Sequence, residues 1–234
     1  MTWFDFTTLC LKIIGLRFEC PVCGGRFRQM RPFGITPRKN ALCPQCFSLE
    51  RHRLLWLYLK NRTNFFHSPM TVLHIAPEKT LSQKFKQMTH LNYLSIDKAS
   101  PLAMRAMDIC EMSFQDNTFD VILCSHVFEH IPDDLKAMRE VFRVLKPGGW
   151  AILQVPILRE KTFEDPTIIE PADRLKNFGQ SDHVRIYGKD YQNRLEKAGF
   201  KVTVDGYVRE LGKTRILRYG LLRREDIYFC TKNL

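Results

Sequence analysis

The stretch Phe119–Leu153, FDVILCSHVFEHIPDDLKAMREVFRVLKPGGWAIL, decides the fold of this chain. Its first six residues are apolar and rich in β-formers, which predicts a buried strand. After a short polar turn, Asp133 and Asp134 open a helix that Arg143 and Lys146 close, a charge order that suits the helix dipole. A Pro-Gly-Gly sequence ends this helix, and a second β-rich run follows. Strand, helix and strand form a βαβ unit, which predicts a parallel sheet with a ligand site at the strand carboxyl ends.

This unit is similar to a known family. A strand ending in SHVFEHIPDD, then a helix that runs into LKPGGW and another strand, resembles strands four and five of class I S-adenosylmethionine (SAM)-dependent methyltransferases, especially their type 11 group. The resemblance implies an α/β fold with a Rossmann-like, seven-stranded sheet over residues 68–234, and SAM as cofactor. Residues 157–187 would form a lid or substrate insertion. Lys201–Asp205 and Asp226–Thr231 are predicted to be the two closing antiparallel strands.

Charge is unevenly distributed along the 234 residues, 44% of which are apolar. Residues 1–67 carry 11 Lys/Arg and 3 Asp/Glu, a net +8, and residues 209–234 carry 7 and 3, a net +4. Residues 68–208 carry 18 and 19, a net −1. The basic flanks suit contact with a polyanion such as RNA or an anionic surface, or alternatively solubility and local ion pairing.

The first nineteen residues are apolar but lack the basic start and small-residue cleavage site of a signal peptide. We therefore predict a packing helix over residues 1–19, with a monotopic membrane contact through Trp3, Phe4 and Phe6 as the alternative. No apolar run in the sequence reaches membrane-spanning length. We expect a cytoplasmic protein, and the sequence does not define its oligomeric state.

Two Cys-x-x-Cys pairs are separated by 19 residues. Each pair can place two thiolates on a tight turn, and together they predict a four-sulfur site for a structural Zn²⁺. Iron also suits this geometry, and two disulfides are disfavoured because nothing marks the chain as secreted. The predicted metal ligands are Cys20, Cys23, Cys43 and Cys46.

Residues 20–47 resemble a zinc ribbon, and the stretch between the cysteine pairs mixes arginines with Phe27 and Phe33. This mixture suits base stacking beside phosphate contacts, or simply the small core of a ribbon. Residues 48–67 are predicted to form a connecting amphipathic helix and a linker, with Ser48 as the N-cap.

Thr71–Ala76 reads as the first strand of the larger domain. In the methyltransferase family this strand runs into a glycine-rich loop beside the cofactor. Here His74 takes the place of the usual acidic residue, and the loop begins Ala76-Pro77-Glu78 without glycine. Either the cofactor loop is remodelled, with His74, Ala76 and Glu78 at the cofactor and Glu78 near its amino group, or SAM binding has been lost.

The family resemblance also implies contacts to the adenosine. Asp97 ends the predicted strand Leu91–Asp97, where a carboxylate can accept hydrogen bonds from both ribose hydroxyls; capping of the next helix is the alternative. Lys98 lies beside it. Asp108 would accept a hydrogen bond from the adenine amine, and Ile109 would pack on the ring.

The turn after the central strand would face the methyl-bearing side of the cofactor, with Ser125 and His126 nearest to it. Its HVFEH string matches an inverted zinc-protease motif, but that motif needs both histidines on one helix, whereas a turn is predicted here. The later string DHVRIYG also recurs in type 11 methyltransferases. From it, Arg185 and Tyr187 would line the acceptor site or tie the insertion to the core, and His183 joins His126 as a candidate general base.

The leading hypothesis is thus a SAM-dependent methyltransferase with a small-molecule or glycan acceptor. An RNA methyltransferase that uses the basic ribbon is one alternative. A non-catalytic zinc-ribbon adaptor on a methyltransferase-like fold is the other, because the glycine loop is absent.

Overall fold

The computed structural model describes residues 14–233, which belong to two compact units. Unit 1 comprises the chain up to Ser68 together with Gly206–Asp226, and unit 2 comprises Pro69–Asp205 and the chain from Ile227 onward. Within residues 14–233, no helix combines the length and the apolar character that crossing a membrane requires. In chain order the elements are β1 Ile14–Glu19, β2 Arg26–Phe27, β3 Arg31–Phe33, β4 Arg38–Leu42, α1 Glu50–Arg62, β5 Met70–Ile75, α2 Lys79–Phe85, β6 Leu91–Asp97, β7 Arg105–Ala106, β8 Phe119–Ser125, a 3₁₀ turn Phe128–His130, α3 Asp134–Val144, β9 Leu145–Gln154, β10 Ile157–Arg159, β11 Phe163–Glu164, α4 Pro171–Phe178, β12 Arg185–Gly188, α5 Tyr191–Lys197, β13 Lys201–Asp205, α6 Tyr207–Glu210, α7 Gly212–Tyr219 and β14 Ile227–Thr231.

Unit 1 opens with two antiparallel pairs, β1 with β2 and β3 with β4, ahead of helix α1. The predicted N-terminal helix over residues 1–19 is wrong for Ile14–Glu19, which is strand β1. Phe18 and Phe27 are partners across β1 and β2 and are both buried, whereas Arg17, the neighbour of Phe18 on the opposite face of β1, is exposed. This alternation of buried and exposed side chains has the period of a strand. Residues 1–13 of the predicted helix lie outside the described part of the chain.

Arg53 on α1 holds unit 1 together. Its side chain is fully buried, and its guanidinium donates to the carbonyls of Ala41 at 3.0 Å and Ser48 at 2.6 Å. It also donates to Tyr219 and Gly220, each at 2.7 Å. One side chain therefore joins strand β4, the second cysteine turn and the end of α7.

The boundary of the larger domain differs from the predicted 68–234. Gly206–Asp226, the segment with α6 and α7, groups with unit 1. The last carbonyls of a helix need donors from outside the helix. At the end of α7, the carbonyls of Tyr219 and Gly220 accept hydrogen bonds from Arg53. The chain thus leaves unit 2 after β13 and returns to it at β14.

Unit 2 is built on a seven-stranded sheet of order β13-β14-β9-β8-β5-β6-β7. The pairs from β9 to β7 are parallel, and β14 runs antiparallel to both of its neighbours, β9 and β13. This Rossmann-like sheet confirms the predicted α/β fold. The closing strands are β13 and β14, as predicted.

Helix α3 covers the sheet as its sequence predicts. Asp133 caps it by accepting from the Lys136 backbone N–H at 2.9 Å, and its apolar face buries Met138 and Val141 completely. The helix stops at Val144, and the Pro-Gly-Gly sequence lies within β9. Glycine is required there, since a Cβ on Gly149 would lie 2.8 Å from the Asp120 carbonyl oxygen.

The predicted insertion at residues 157–187 is ordered and contains secondary structure. Strands β10, β12 and β11 make a second, three-stranded sheet in that order, and α4 lies between β11 and β12 in the chain. Val184 donates its backbone N–H to the Glu129 carbonyl at 2.9 Å. The insertion is thereby fixed to the turn that follows β8.

Candidate functional site

The order of strands in unit 2 creates a crevice between β5 and β8. Strand β6 lies on one side of β5 and β8 on the other, and ligands of open α/β sheets bind where the strand order reverses in this way. The loop after β5, Asp97 at the end of β6 and Ser125 at the end of β8 all lie at this carboxyl edge. The structure thus places the loop from Ala76, Asp97 and Ser125 at one edge of the sheet.

The loop after β5 keeps the backbone of a glycine turn without the glycine. Ala76 has φ +50°, in the left-handed region that glycine adopts at no steric cost. Its N–H donates to the Ile96 carbonyl at 2.8 Å, which joins the loop to the neighbouring strand β6. Among ordinary residues, alanine adds the least side chain at a point of close approach.

His74 is buried beneath this loop. Its Nδ1 lies 2.9 Å from the Tyr93 hydroxyl and its Nε2 lies 2.9 Å from Glu78 Oε2. His74 is only 1% exposed, and its contact with Glu78 holds that carboxylate in the loop. Its predicted direct contact with a cofactor stays a prediction.

The predicted adenosine residues form a second wall. Asp97 Oδ1 accepts from the backbone N–H groups of Ala99 at 2.8 Å and Ser100 at 2.7 Å. These bonds close a turn and not a helix cap, because no helix lies between Asp97 and β7. They leave Oδ2 as the oxygen that can meet a ribose. The structure does not test the ribose contact itself.

Asp108 lies 3.0 Å from Lys98 through its Oδ2. Its other oxygen accepts from the Cys110 backbone N–H at 2.8 Å. These two contacts, the backbone hydrogen bond first, hold the pKa of the Asp108 carboxyl below its usual value. Ile109 is buried in the core, so its packing on an adenine ring stays a prediction.

The turn after β8 places His126 in a left-handed conformation, φ +58°. Its backbone N–H donates to the Gln154 carbonyl at 2.8 Å, and its Nδ1 lies 3.2 Å from Glu129 Oε1. His126 precedes the short 3₁₀ turn and His130 ends it, so the two histidines do not share an α-helix. The zinc-protease geometry is therefore absent from this turn. Strain at a non-glycine residue is common where a side chain must be held for function.

The predicted bases His126 and His183 converge on Glu129. The ligand atoms of Glu129, His130 and His183 lie within 4.8 Å of one another, and the rings of His130 and His183 meet edge to face with centroids 4.6 Å apart. Burial lowers the pKa of His183 from its ordinary value, which favours the neutral ring near pH 7.

Sequence reasoning did not select Glu129. The HVFEH string could have pointed to Glu129, but it was compared only with a protease motif. A glutamate between two histidines in that string is 1% exposed, and this burial could not be read from the sequence.

Arg185 is engaged with the protein itself. It is 4% exposed and donates to the carbonyls of Phe128 at 2.9 Å and Pro132 at 2.7 Å, and also to that of Ile131. Its Nε donates to Glu164 at 2.8 Å. These bonds anchor the turn after β8 to the insertion, and the predicted substrate contact of Arg185 stays a prediction.

Tyr187 is completely buried, and its hydroxyl donates to Asp134 Oδ2 at 2.6 Å. Burial and the nearby carboxylate raise the pKa of this phenol above its ordinary value. Burial and the bond to Asp134 agree with the alternative that this string ties the insertion to the core. A role for Tyr187 toward substrate stays a prediction.

Replacing Arg185 by lysine tests its anchoring role. Lysine keeps the charge but lacks the fork that spans several carbonyls, so we expect the free energy of unfolding to fall by about 2 kcal/mol. Chemical denaturation measures this, with the exposed Arg139→Lys on α3 as the control. Equal stability of the two variants would contradict the anchoring role.

In unit 1 the four predicted ligands come together. The sulfurs of Cys20 and Cys46 are 3.6 Å apart and those of Cys23 and Cys43 are 3.8 Å apart. Sulfurs that share a tetrahedral zinc with Zn–S bonds of about 2.3 Å lie about 3.8 Å apart. The donor set and its spacing therefore fit a structural zinc.

The two cysteine turns have matching backbones. Gly24 donates to the Cys20 carbonyl at 2.8 Å, and Phe47 donates to the Cys43 carbonyl at 3.0 Å. Gly24 and Phe47 both have a left-handed φ, +74° and +61°. This repetition presents two sulfurs from each turn to a common centre.

The Ser48 side chain contacts the cysteine cluster and does not cap helix α1. The prediction that it is the N-cap of α1 is wrong, because Leu49 takes that position. The Ser48 hydroxyl lies 3.2 Å from the Cys20 sulfur and 3.3 Å from that of Cys46. Burial raises the pKa of the Cys23 thiol to about 12, whereas the hydrogen bond with Cys20 lowers that of Cys46.

Comparison with known proteins finds a partial match to one family. Residues 61–153 match the family Methyltransf_11, described as a methyltransferase domain. The ubiquinone/menaquinone biosynthesis C-methyltransferase UbiE of Pasteurella multocida is 37% identical over 29% of this chain and 22% of its own length. The matches to the first curated relatives span between 22% and 41% of those proteins.

Solved structures share the fold. A SAM-dependent methyltransferase from Archaeoglobus fulgidus is 15% identical, with a TM-score of 0.51 over 76% of this chain and 93% of that protein. The [4+2]-cyclase SpnF is also 15% identical, with a TM-score of 0.54 over 99% of this chain and 94% of its own. A protein named as a cyclase has this fold too, so the fold alone does not identify a reaction.

Proposed function

We propose that this chain is a SAM-dependent methyltransferase that acts on a small-molecule or glycan acceptor, with a structural zinc on the four cysteines of unit 1. The observation that carries the proposal is the crevice between β5 and β8. There Asp97 ends one strand, opposite a turn held in the glycine-like conformation of Ala76. Both features belong to the stretch that matches the methyltransferase domain.

Each residue of the crevice would contact a different part of the cofactor. Asp97 accepts from the ribose hydroxyls, Asp108 from the adenine amine, and Ile109 borders the ring. Glu78, held by His74 at 2.9 Å, attracts the amino group at the other end of the cofactor. Its sulfonium supplies the methyl group, and the protein aligns donor and acceptor for an in-line displacement.

His126 is the favoured base for an acceptor that must lose a proton. Its side chain is 28% exposed, whereas His183 is 6% exposed and buried behind the turn. Ser125 precedes it at the end of β8 and is partly exposed as well. The insertion at residues 157–187 completes the acceptor side, because its backbone is bonded to the same turn.

Titration of the purified chain with SAM and S-adenosylhomocysteine tests the proposal. We expect calorimetric binding of both, and an affinity at least tenfold weaker for Asp97→Asn, since a carboxylate bond of about 1.5–3 kcal/mol is lost. Asparagine retains the oxygen that accepts from Ala99 and Ser100, so the turn survives.

Asp116→Asn is the matched control, because Asp116 is an exposed acid that precedes β8 at the opposite edge of the sheet. The Asp116→Asn variant should bind SAM with the same affinity as the wild type. Absence of binding at millimolar cofactor would overturn the enzyme proposal and favour the non-catalytic adaptor.

A further inference from the structure

Glu129, His130 and His183 form a cluster of potential metal ligands in unit 2. Each residue offers one ligand atom, and all three atoms lie within 4.8 Å of one another. Ligands that share one transition-metal ion at about 2.0–2.2 Å lie roughly 3–4 Å apart. Small rotations of these side chains would therefore close a site around an ion.

The carboxylate of Glu129 is buried without a hydrogen bond, and His126 is its only ion-pair partner in the described part of the chain. It is 1% exposed, and neither oxygen receives a hydrogen bond from residues 14–233. His126 Nδ1 lies 3.2 Å from Oε1 but lacks the alignment of a hydrogen bond. A buried carboxylate without a hydrogen bond costs several kcal/mol, and a bound cation would remove that cost.

His183 also carries a buried nitrogen without a hydrogen-bond partner in the described part of the chain. It is 6% exposed, and its Nε2 has no hydrogen-bond partner among residues 14–233. The ring meets that of His130 edge to face, with centroids 4.6 Å apart. An imidazole with an unpartnered nitrogen can act as a metal ligand.

His130 lies beside a carboxylate. Its Nδ1 lies 3.1 Å from Oδ2 of Asp182, whose side chain is 66% exposed. Carboxylates that accept from one nitrogen of a histidine fix the ring and make the other nitrogen a better metal ligand. The cluster therefore combines three potential ligands with a carboxylate, that of Asp182, placed to orient one of them.

From this geometry we infer that Glu129, His130 and His183 bind a divalent first-row transition metal. Two imidazoles and one carboxylate suit Zn²⁺, Mn²⁺ or Fe²⁺ and leave a position open for another ligand. Mg²⁺ and Ca²⁺ fit less well, because they prefer oxygen ligands throughout. The site is separate from the four cysteines, which belong to unit 1.

The location suggests what the ion would do. The cluster follows β8 at the carboxyl edge of the sheet, next to His126. If the proposed methyltransferase function holds, the ion would bind the hydroxyl oxygen of the acceptor and favour loss of its proton to His126. The oxygen would then form a bond to the methyl carbon as the carbon–sulfur bond breaks, which releases S-adenosylhomocysteine. This inference narrows the acceptor to a compound with a hydroxyl group.

Binding of Mn²⁺ to the full chain loaded with only one equivalent of Zn²⁺, which the four thiolates take first, tests the site, since four thiolates bind Mn²⁺ poorly. Electron paramagnetic resonance should show one bound Mn²⁺ per chain in the absence of SAM. Glu129→Gln and His183→Ala should weaken binding at least a hundredfold, and the outer variant Asp182→Asn about tenfold. Glu140→Gln, a partly buried acid on α3, should bind as the wild type does.

Thermal stability gives a second readout that guards against misfolding. Without Mn²⁺, Glu129→Gln should be at least as stable as the wild type, because it removes a buried charge. With Mn²⁺, the wild type should gain stability and the variant should not. Failure of the wild type to bind Mn²⁺, or equal binding by Glu129→Gln, would overturn the inference. SAM titration without metal is independent of this result, so each proposal can fail alone.

Discussion

Replacing Cys43 by serine is expected to lower the zinc content by one ion per chain and to unfold the segment around the cysteine turns. Cys43 is fully buried and its sulfur faces that of Cys23 at 3.8 Å. Serine keeps the size but offers no thiolate to the metal. Small zinc modules obtain about 10 kcal/mol or more of their folding free energy from the ion, so little else would hold residues 20–47 in place. Metal analysis and limited proteolysis of this segment measure the two effects.

Cys110→Ser is the matched control. Cys110 belongs to unit 2, and burial raises the pKa of its thiol to about 11. This change should leave the zinc content and the proteolysis pattern of unit 1 as they are in the wild type. Equal zinc content in the Cys43 and Cys110 variants would refute the metal site.

Replacing Arg53 by methionine is expected to lower the free energy of unfolding of unit 1 by about 3–5 kcal/mol. Methionine fills similar space but removes every donor from a fully buried position. The carbonyls of Ala41, Ser48, Tyr219 and Gly220 would each lose a charged partner, and buried acceptors without donors are costly. Urea unfolding followed by tryptophan fluorescence measures the change, because Trp56 lies on the same helix.

Arg62→Met on the same helix provides the comparison. Arg62 is 40% exposed, and its ion pair with Glu210 is at the surface. Such pairs contribute about 1 kcal/mol at most. Equal losses in the free energy of unfolding of the two variants would contradict the claim that Arg53 holds unit 1 together.

The sheet was predictable from sequence because its signals are local. Each signal lies within a few residues of the element that it predicts. Examples are the apolar run from Phe119 in β8, the acids at the start of α3 and the acid at the end of β6. Their spacing follows the periods of strands and helices. The bounds of β6 and β13 agree with the prediction residue for residue.

The cysteine site was predictable for a similar reason. Two sulfurs on one tight turn are a local arrangement, and only the meeting of the two turns needs tertiary structure. The role of Ser48 was missed, since a serine before a helix is usually a cap. Its hydroxyl instead lies beside two of the sulfurs.

By itself, the sequence determined the α/β fold, its central βαβ unit and the four sulfurs of unit 1. The tertiary structure alone decided which polar groups are buried and what they meet. Arg53 and Arg185 look like surface arginines in the sequence, and Glu129 looks like one more acid in a turn. Their burial brings them together with partners far away in the chain. A charge in a buried position must be balanced by such distant groups, and no local pattern records that requirement.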